Sequence, residues 1–135
     1  MTVVVCVDEQ GGILFNHRRV SSDRAAIGNL LEYIGDMPLY MSQYSSKLFP
    51  DVARICVCND YLERAGGEDA VFLEETAPDA FWNKVQRLIV YRWNRLYPSD
   101  VQFPLEYLSG KCKLESSFDF AGNSHERITR EVYVL

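Results

Sequence analysis

MTVVVCVDEQGGILFNHRRVSSDRAAIGNLLEYIGDMPLYM, residues 1–41, decides the architecture. Residues 2–7 are apolar or β-branched almost throughout, the pattern of a strand buried on both faces. Gly11 and Gly12 end that run and supply a turn that needs positive φ. Ser21 and Ser22 are N-cap residue types, and Asp23 in the first turn complements the helix dipole. Ala26, Ile27, Leu30, Leu31 and Ile34 then recur at helical spacing and make one apolar face. Gly35 is placed as the C-cap, Pro38 stops the helix, and residues 39–41 read as a second strand. Strand, turn, capped helix and strand in that order make a parallel α/β unit.

Beyond residue 41 the alternation continues. Residues 42–49 suit a short helix capped by Ser42, and residues 54–58 a buried-type strand. Residues 59–69 are polar, contain Gly66-Gly67, and read as a loop. Residues 70–73 form a short strand, residues 77–85 a helix with Pro78 in its first turn, and residues 87–93 a strong strand. The runs 111–118 and 127–134, joined by 119–126, predict a terminal antiparallel hairpin. The expected fold is a three-layer α/β/α domain, with a mostly parallel sheet and an antiparallel edge.

The chain has 135 residues, enough for one domain with a real core, so residues 1–135 are read as a single unit. Hydrophobic residues make up 47% and charged residues 24%, as in an ordinary globular protein. The net charge of −5 and scattered basic residues speak against nucleic acid and against anionic membranes as partners. No apolar run approaches the roughly 20 residues of a membrane span, and residues 1–10 carry no signal-peptide pattern, so a cytoplasmic location is expected. Cys6, Cys56 and Cys58 lie in strand-like runs, where reduced Cys behaves as a small hydrophobe. There is no Cys-x-x-Cys, and His17 and His125 are the only histidines, so no metal is expected. The His-x-His-x-Asp-His cluster of metallo-β-lactamase-type nucleases, the Gly-x-Ser-x-Gly elbow and the P-loop are all missing.

Several strings, taken in succession, resemble the dihydrofolate reductase family. VCVDEQGGI resembles its first strand and glycine-containing turn, and residues 21–34 take the place of the helix that lines its folate pocket. MPLYM resembles the following "KPVIM" strand, VQRLIVYRW its "ADRLYLT" strand, SDVQFP its "GDTFFP" motif, and NSHERITREVYVL its closing strand. The match spans most of the chain in order. The chain is about twenty residues shorter than typical members, within the range of a small domain. The shortfall lies between Cys58 and Val71.

The departures bear on chemistry. By the resemblance, Ala26 stands where the family has a buried Asp or Glu that helps protonate the pterin, and Ala cannot do acid–base work. Asp23, one turn earlier, is the candidate substitute; its structural reading is a helix-end acid. Val20-Ser21 replace the family's Pro-Trp beside that helix. Ser42-Gln43-Tyr44-Ser45 replace the Gly-Arg-x-Thr that holds cofactor phosphates, which removes a bidentate arginine. Glu74-Glu75-Thr76 replace a Gly-Gly cofactor loop, where two carboxylates would repel a pyrophosphate. No cofactor is therefore expected.

Candidate ligand contacts are His17, Arg18, Arg19, Asn29, Tyr33 and Tyr91. His17-Arg18-Arg19, in the loop that covers the family's active site, read either as an anion site or as a solvated loop. Arg18 or Arg19 can pair with Glu32 or Asp36. Tyr33, Tyr40, Tyr44 and Tyr91 can line the old cleft and stack on a flat ligand, or serve as core filler. Tyr91 falls near a family Thr that supports the catalytic acid, where a large ring fills the cleft. Glu74 and Glu75 either form a cation or amine site or face water. Two readings follow. In the first, a reductase-like scaffold without reductase activity binds a small ligand or a protein, with a homodimer through the hairpin around Phe118 and Tyr133 as the candidate assembly. In the second, a divergent enzyme acts on a nucleotide or pterin-like substrate in the former folate cleft.

Overall fold

The computed structural model describes residues 1–75 and 79–135. Among them, strands β1 (Thr2–Val7), β4 (Leu39–Met41), β5 (Ile55–Val57), β6 (Ala70–Leu73), β7 (Arg87–Arg92), β9 (Lys113–Phe120) and β10 (Ile128–Val134) form one sheet, in the order β5-β4-β6-β1-β7-β10-β9. β1 pairs in parallel with β6 and β7, and β4 with β5 and β6. β10 runs antiparallel to both β7 and β9. The sheet is thus mostly parallel with an antiparallel hairpin at its edge, as the residues predict. A second small sheet joins β2 (Gly12–Phe15) to β3 (Arg18–Arg19) and β8 (Val101–Gln102).

Each face of the large sheet is covered, because β1, β6 and β7 carry apolar side chains on both. On one side Val4, Phe72, Ile89 and Val132 pack on helix α1 (Arg24–Ile34) through Ala26, Ile27, Leu30 and Ile34. On the other, Val3, Val5, Val71, Leu88 and Val90 meet Tyr61, Leu62, Leu108 and the partly buried Phe81 and Trp82. Those residues come from α3 (Tyr61–Arg64), a 3-10 helix (Asp79–Lys84) and α4 (Glu106–Lys111). A single sheet between two helical layers is the three-layer α/β/α arrangement.

Several local expectations are corrected. Asp23, not Ser21 or Ser22, caps α1: its backbone is extended and its side chain accepts from the Ala25 amide at 2.8 Å. Gly35 closes the helix with φ 61°. Of the glycine pair only Gly11 has positive φ; Gly12 already opens β2. Residues 13–19 form a hairpin rather than a free loop. Asn16 and His17 sit at φ 52° and 65°, the two left-handed positions of a two-residue turn. β5 is an edge strand with Val57 42% exposed, not a buried one. Residues 59–69 include the single-turn helix α3, and residues 106–111 form α4, so β9 starts at Lys113 and runs on to Phe120. The helix expected over 77–85 is a 3-10 turn over Asp79–Lys84, and residues 77–78 lie outside the described residues. α2 (Gln43–Ser46) forms where predicted, with Ser42 Oγ accepting from the Ser45 amide at 3.2 Å.

Candidate functional site

The parallel strands β1, β4 and β6 end on the same side of the sheet, and the loops that follow them meet there. Carboxyl ends of parallel strands are where α/β sheets build ligand sites. After β4 come Ser42 to Ser45, and after β6 come Glu74 and Glu75. The fold brings these two segments into contact. Glu74 is buried and accepts from Ser45 Oγ at 2.8 Å; the exposed Glu75 accepts from Ser42 Oγ. Arg19 reaches in from β3 and forks onto Glu74, Nε to Oε2 at 2.8 Å and Nη2 to Oε1 at 3.1 Å. Its guanidinium also donates to the Tyr44 carbonyl and lies 4.1 Å from the Tyr44 ring centre. Burial works against the Arg19 charge, but the Glu74 hydrogen bond and charge outweigh it and raise its pKa. The pairing with Glu32 or Asp36 is corrected: the two-residue turn aims Arg19 at Glu74 instead. A pyrophosphate brought here meets two carboxylates, and the nearby arginine is already bidentate to one of them.

The α1 N-terminus holds the second cluster. Asp23 is buried, and its carboxylate accepts from the amides of Ala25, Asn123, Ser124 and His125 at 2.8–3.1 Å. Oδ2 also meets His125 Nδ1 at 2.9 Å. Burial alone would raise its pKa; hydrogen bonds from the Asn123 backbone, His125, Ser124 and Ala25 outweigh burial and hold the carboxyl far below the usual range. The 121–127 loop can lie this close because residue 122 is glycine. A Cβ there would stand 2.7 Å from Asp23 Oδ2 and 2.5 Å from the His125 carbonyl. His125, only 3% exposed, stacks on Trp93 with ring centres 4.6 Å apart and planes at 14°. Its Nε2 faces Ser21 Oγ at 3.0 Å and the Tyr97 hydroxyl at 2.9 Å. Tyr97 is held in turn by buried Asp8, whose Oδ2 accepts the Tyr97 amide while Oδ1 accepts those of Gln10 and Gly12.

Asn29, Tyr33 and Tyr91 come together, but on the seam between α1 and the β7–β10–β9 edge. Tyr91 is buried and donates to Asn29 Oδ1 at 2.7 Å. Arg130 of β10 donates to the same oxygen at 2.9 Å, and its guanidinium lies 4.1 Å from the Tyr33 ring centre and 5.1 Å from that of Phe118. Burial pushes the Tyr91 phenol well up, so it stays a neutral donor. Asn29, Glu32, Tyr33, Phe118 and Arg130 border an open groove of about 480 Å³. The four tyrosines do not converge. Tyr40 points to the opposite face from its neighbours Leu39 and Met41, because strand side chains alternate, and Tyr44 sits with Arg19. His17 and Arg18 project from the hairpin, apart from that seam, and Arg18 has no ion-pair partner among the described residues. On the α1 face Leu31, Leu48 and Phe49 pack into the same cluster as Ile27 and Leu30, and Phe49 meets Phe72 edge-on at 5.0 Å. Among the described residues no three His, Cys, Asp or Glu side chains gather into a metal-binding set.

The sequence points to Asp23, Arg19, Glu74 and Tyr91, but not to His125 beside Asp23, to the Ser45 hydroxyl on Glu74 or to Arg130 beside Tyr91. Ser21 to His125 spans 104 residues and Arg19 to Glu74 spans 55, so no local spacing reveals either pair.

No family model matches the sequence, and no curated protein matches it significantly. Among solved structures the chain is similar to the dihydrofolate reductase from Enterococcus faecalis complexed with NADP(H) and RAB-propyl. The TM-score is 0.64 at 13% sequence identity, over 99% of this chain and 95% of that one. The likeness establishes a dihydrofolate reductase-like fold, and no helix among the described residues is long and apolar enough to cross a membrane.

Proposed function

We propose that this chain is a dihydrofolate reductase-like scaffold without reductase activity, used to bind a small ligand or a protein partner. The observation that carries the reading is the buried Glu74 carboxylate, which lies against Ser45 and Arg19 at the place of the family's phosphate loops. The chain's own acid satisfies the donors that a cofactor phosphate would need. The residues present do not fit an NADPH pyrophosphate, and no hydride step is assigned. Ala26 at the place of the pterin acid supports the same reading, since a methyl group carries no proton to give. Asp23 does not readily stand in for it, because its carboxylate is committed to the helix end and to His125.

The surface offered to a ligand is the groove beside Asn29, Glu32, Tyr33, Phe118 and Arg130. Two aromatic faces and a guanidinium edge without a carboxylate partner among the described residues suit a flat, anionic molecule. Native mass spectrometry on protein purified gently from its own host tests the binding reading: a small-molecule mass lost in Arg130→Ala is expected. An absorbance assay with NADPH and dihydrofolate tests the other half, with no turnover above the buffer blank expected. Turnover that disappears in Asp23→Asn would overturn the proposal in favour of a divergent enzyme.

A further inference from the structure

We infer that Ser21, His125 and Asp23 form a proton relay that makes the Ser21 hydroxyl a nucleophile toward small carboxylic esters. The inference does not rest on the binding proposal above, since it uses neither the phosphate-loop region nor the Arg130 groove.

The geometry runs in one line. An ionised carboxylate can only accept, so the Asp23 contact at 2.9 Å places the ring proton of His125 on Nδ1. Nε2 is then the bare nitrogen, and it points at Ser21 Oγ at 3.0 Å. Stacking on Trp93 and burial fix the ring in that orientation. Nucleophile to base to orienting acid within hydrogen-bond reach is the arrangement that activates a serine. Capping α1 needs only the Asp23 carboxylate and the amides around it. The Nε2 side of the ring adds nothing to the cap, yet it is built with two hydroxyls.

Ser21 is half-buried and lies outside the helix, next to Val20. Val20 and Tyr97 border an open groove of about 280 Å³ whose wall carries Arg18 and Arg19. Arg18, without an ion-pair partner among the described residues, suits an ester that bears a negative charge.

In the step proposed, Ser21 Oγ bonds to the ester carbonyl carbon, and its proton passes to Nε2. The carbonyl oxygen becomes an oxyanion. The Nε2 lone pair takes the Ser21 proton, which leaves the Tyr97 hydroxyl, 3.3 Å from Ser21 Oγ, as the donor for that oxyanion. The C–O bond to the alkoxy group breaks, and Nε2 returns its proton to the leaving alcohol. Water then attacks the acyl-Ser21 carbonyl carbon, giving its proton to Nε2. Collapse breaks the bond to Ser21 Oγ, which takes that proton back, and releases the acid. Ester and water yield acid and alcohol, with no other reactant. Ser21, His125 and Tyr97 touch the reacting atoms; Asp23 and Trp93 position the base.

The test is labelling of the whole chain with an alkyl fluorophosphonate, followed by intact mass and peptide mapping. One adduct is expected, on Ser21, with exposed Ser22 left unmodified although it is the more accessible serine. Ser21→Ala should take no label, and His125→Gln should label at least 100-fold more slowly if its circular dichroism spectrum is native. No adduct at large probe excess overturns the inference, as does an adduct on Ser22 at a comparable rate. Because the Ser21-to-Ser22 comparison is made in the unaltered protein, the result stands even if His125→Gln does not fold.

Discussion

Asp23 is a buried N-cap acid whose carboxylate also holds the His125 ring. Its carboxylate ties the α1 N-terminus to residues 123–125 across a hundred positions of chain. Asn in its place keeps the capping oxygen, but its amide NH2 replaces the acceptor that Oδ2 offers to the Ser124 and His125 amides and to His125 Nδ1, and each buried donor left unpaired costs about 1–3 kcal/mol. Asp23→Asn should therefore lower stability by about 3 kcal/mol, or roughly 10 °C in Tm for a chain of this size. The sign of the pH effect follows from the depressed folded-state pKa. The stabilisation is fully present above the unfolded value of about 4 and is lost as the pH falls below it. Melting curves of the two proteins should converge as the pH drops from about 5 to 2, and a constant gap would contradict the account. Gly122 belongs to the same contact. Gly122→Ala drives a Cβ into Asp23 Oδ2 and the His125 carbonyl, so it should destabilise by about 2 kcal/mol or more, as overpacking does. His17 predicts the opposite sign. It sits at φ 65° in the hairpin turn with its side chain exposed, so His17→Gly should raise Tm by a few degrees, since the left-handed conformation costs a non-glycine residue about 1 kcal/mol.

The elements divide by how far their reasons reach along the chain. β1, β6 and β7 were legible because runs such as Val3-Val4-Val5 and Leu88-Ile89-Val90 admit little but a buried strand. α1 was legible from its apolar spacing and Gly35, though among three capping types in a row the cap is Asp23 rather than Ser21 or Ser22. The β2–β3 hairpin was not legible: its turn is Asn-His, without the glycine that usually marks such turns. α3 and α4, of four and six residues, are too short for a period to show. The candidate site was half legible, because residue types were visible and long-range pairings were not. The hairpin matters because it delivers Arg19 to Glu74 between elements. Arg19→Ala leaves a buried carboxylate with Ser45 as its remaining donor among the described residues and should cost about 3 kcal/mol. Pairing it with Glu74→Gln should recover much of that loss, because the stranded charge is gone. Urea melts of the four proteins of this cycle read the coupling directly, and simple additivity would contradict it.

At the scale of the whole molecule, one sheet carries two apolar layers, and both cores share β1, β6 and β7. Unfolding should accordingly be one cooperative transition, seen alike by far-UV circular dichroism and tryptophan fluorescence. A fold can outlast its chemistry, since function resides in sites rather than in scaffolds. Here the loop after β6 carries Glu74 and Glu75, and the α1 face is packed with Leu31, Leu48 and Phe49. The proposed function requires that this scaffold does not take up NADPH. Isothermal titration of the full chain with NADPH tests it most directly. No saturable heat up to about 1 mM is the predicted result; a saturable isotherm with a Kd in the micromolar range, about −8 kcal/mol, would contradict it.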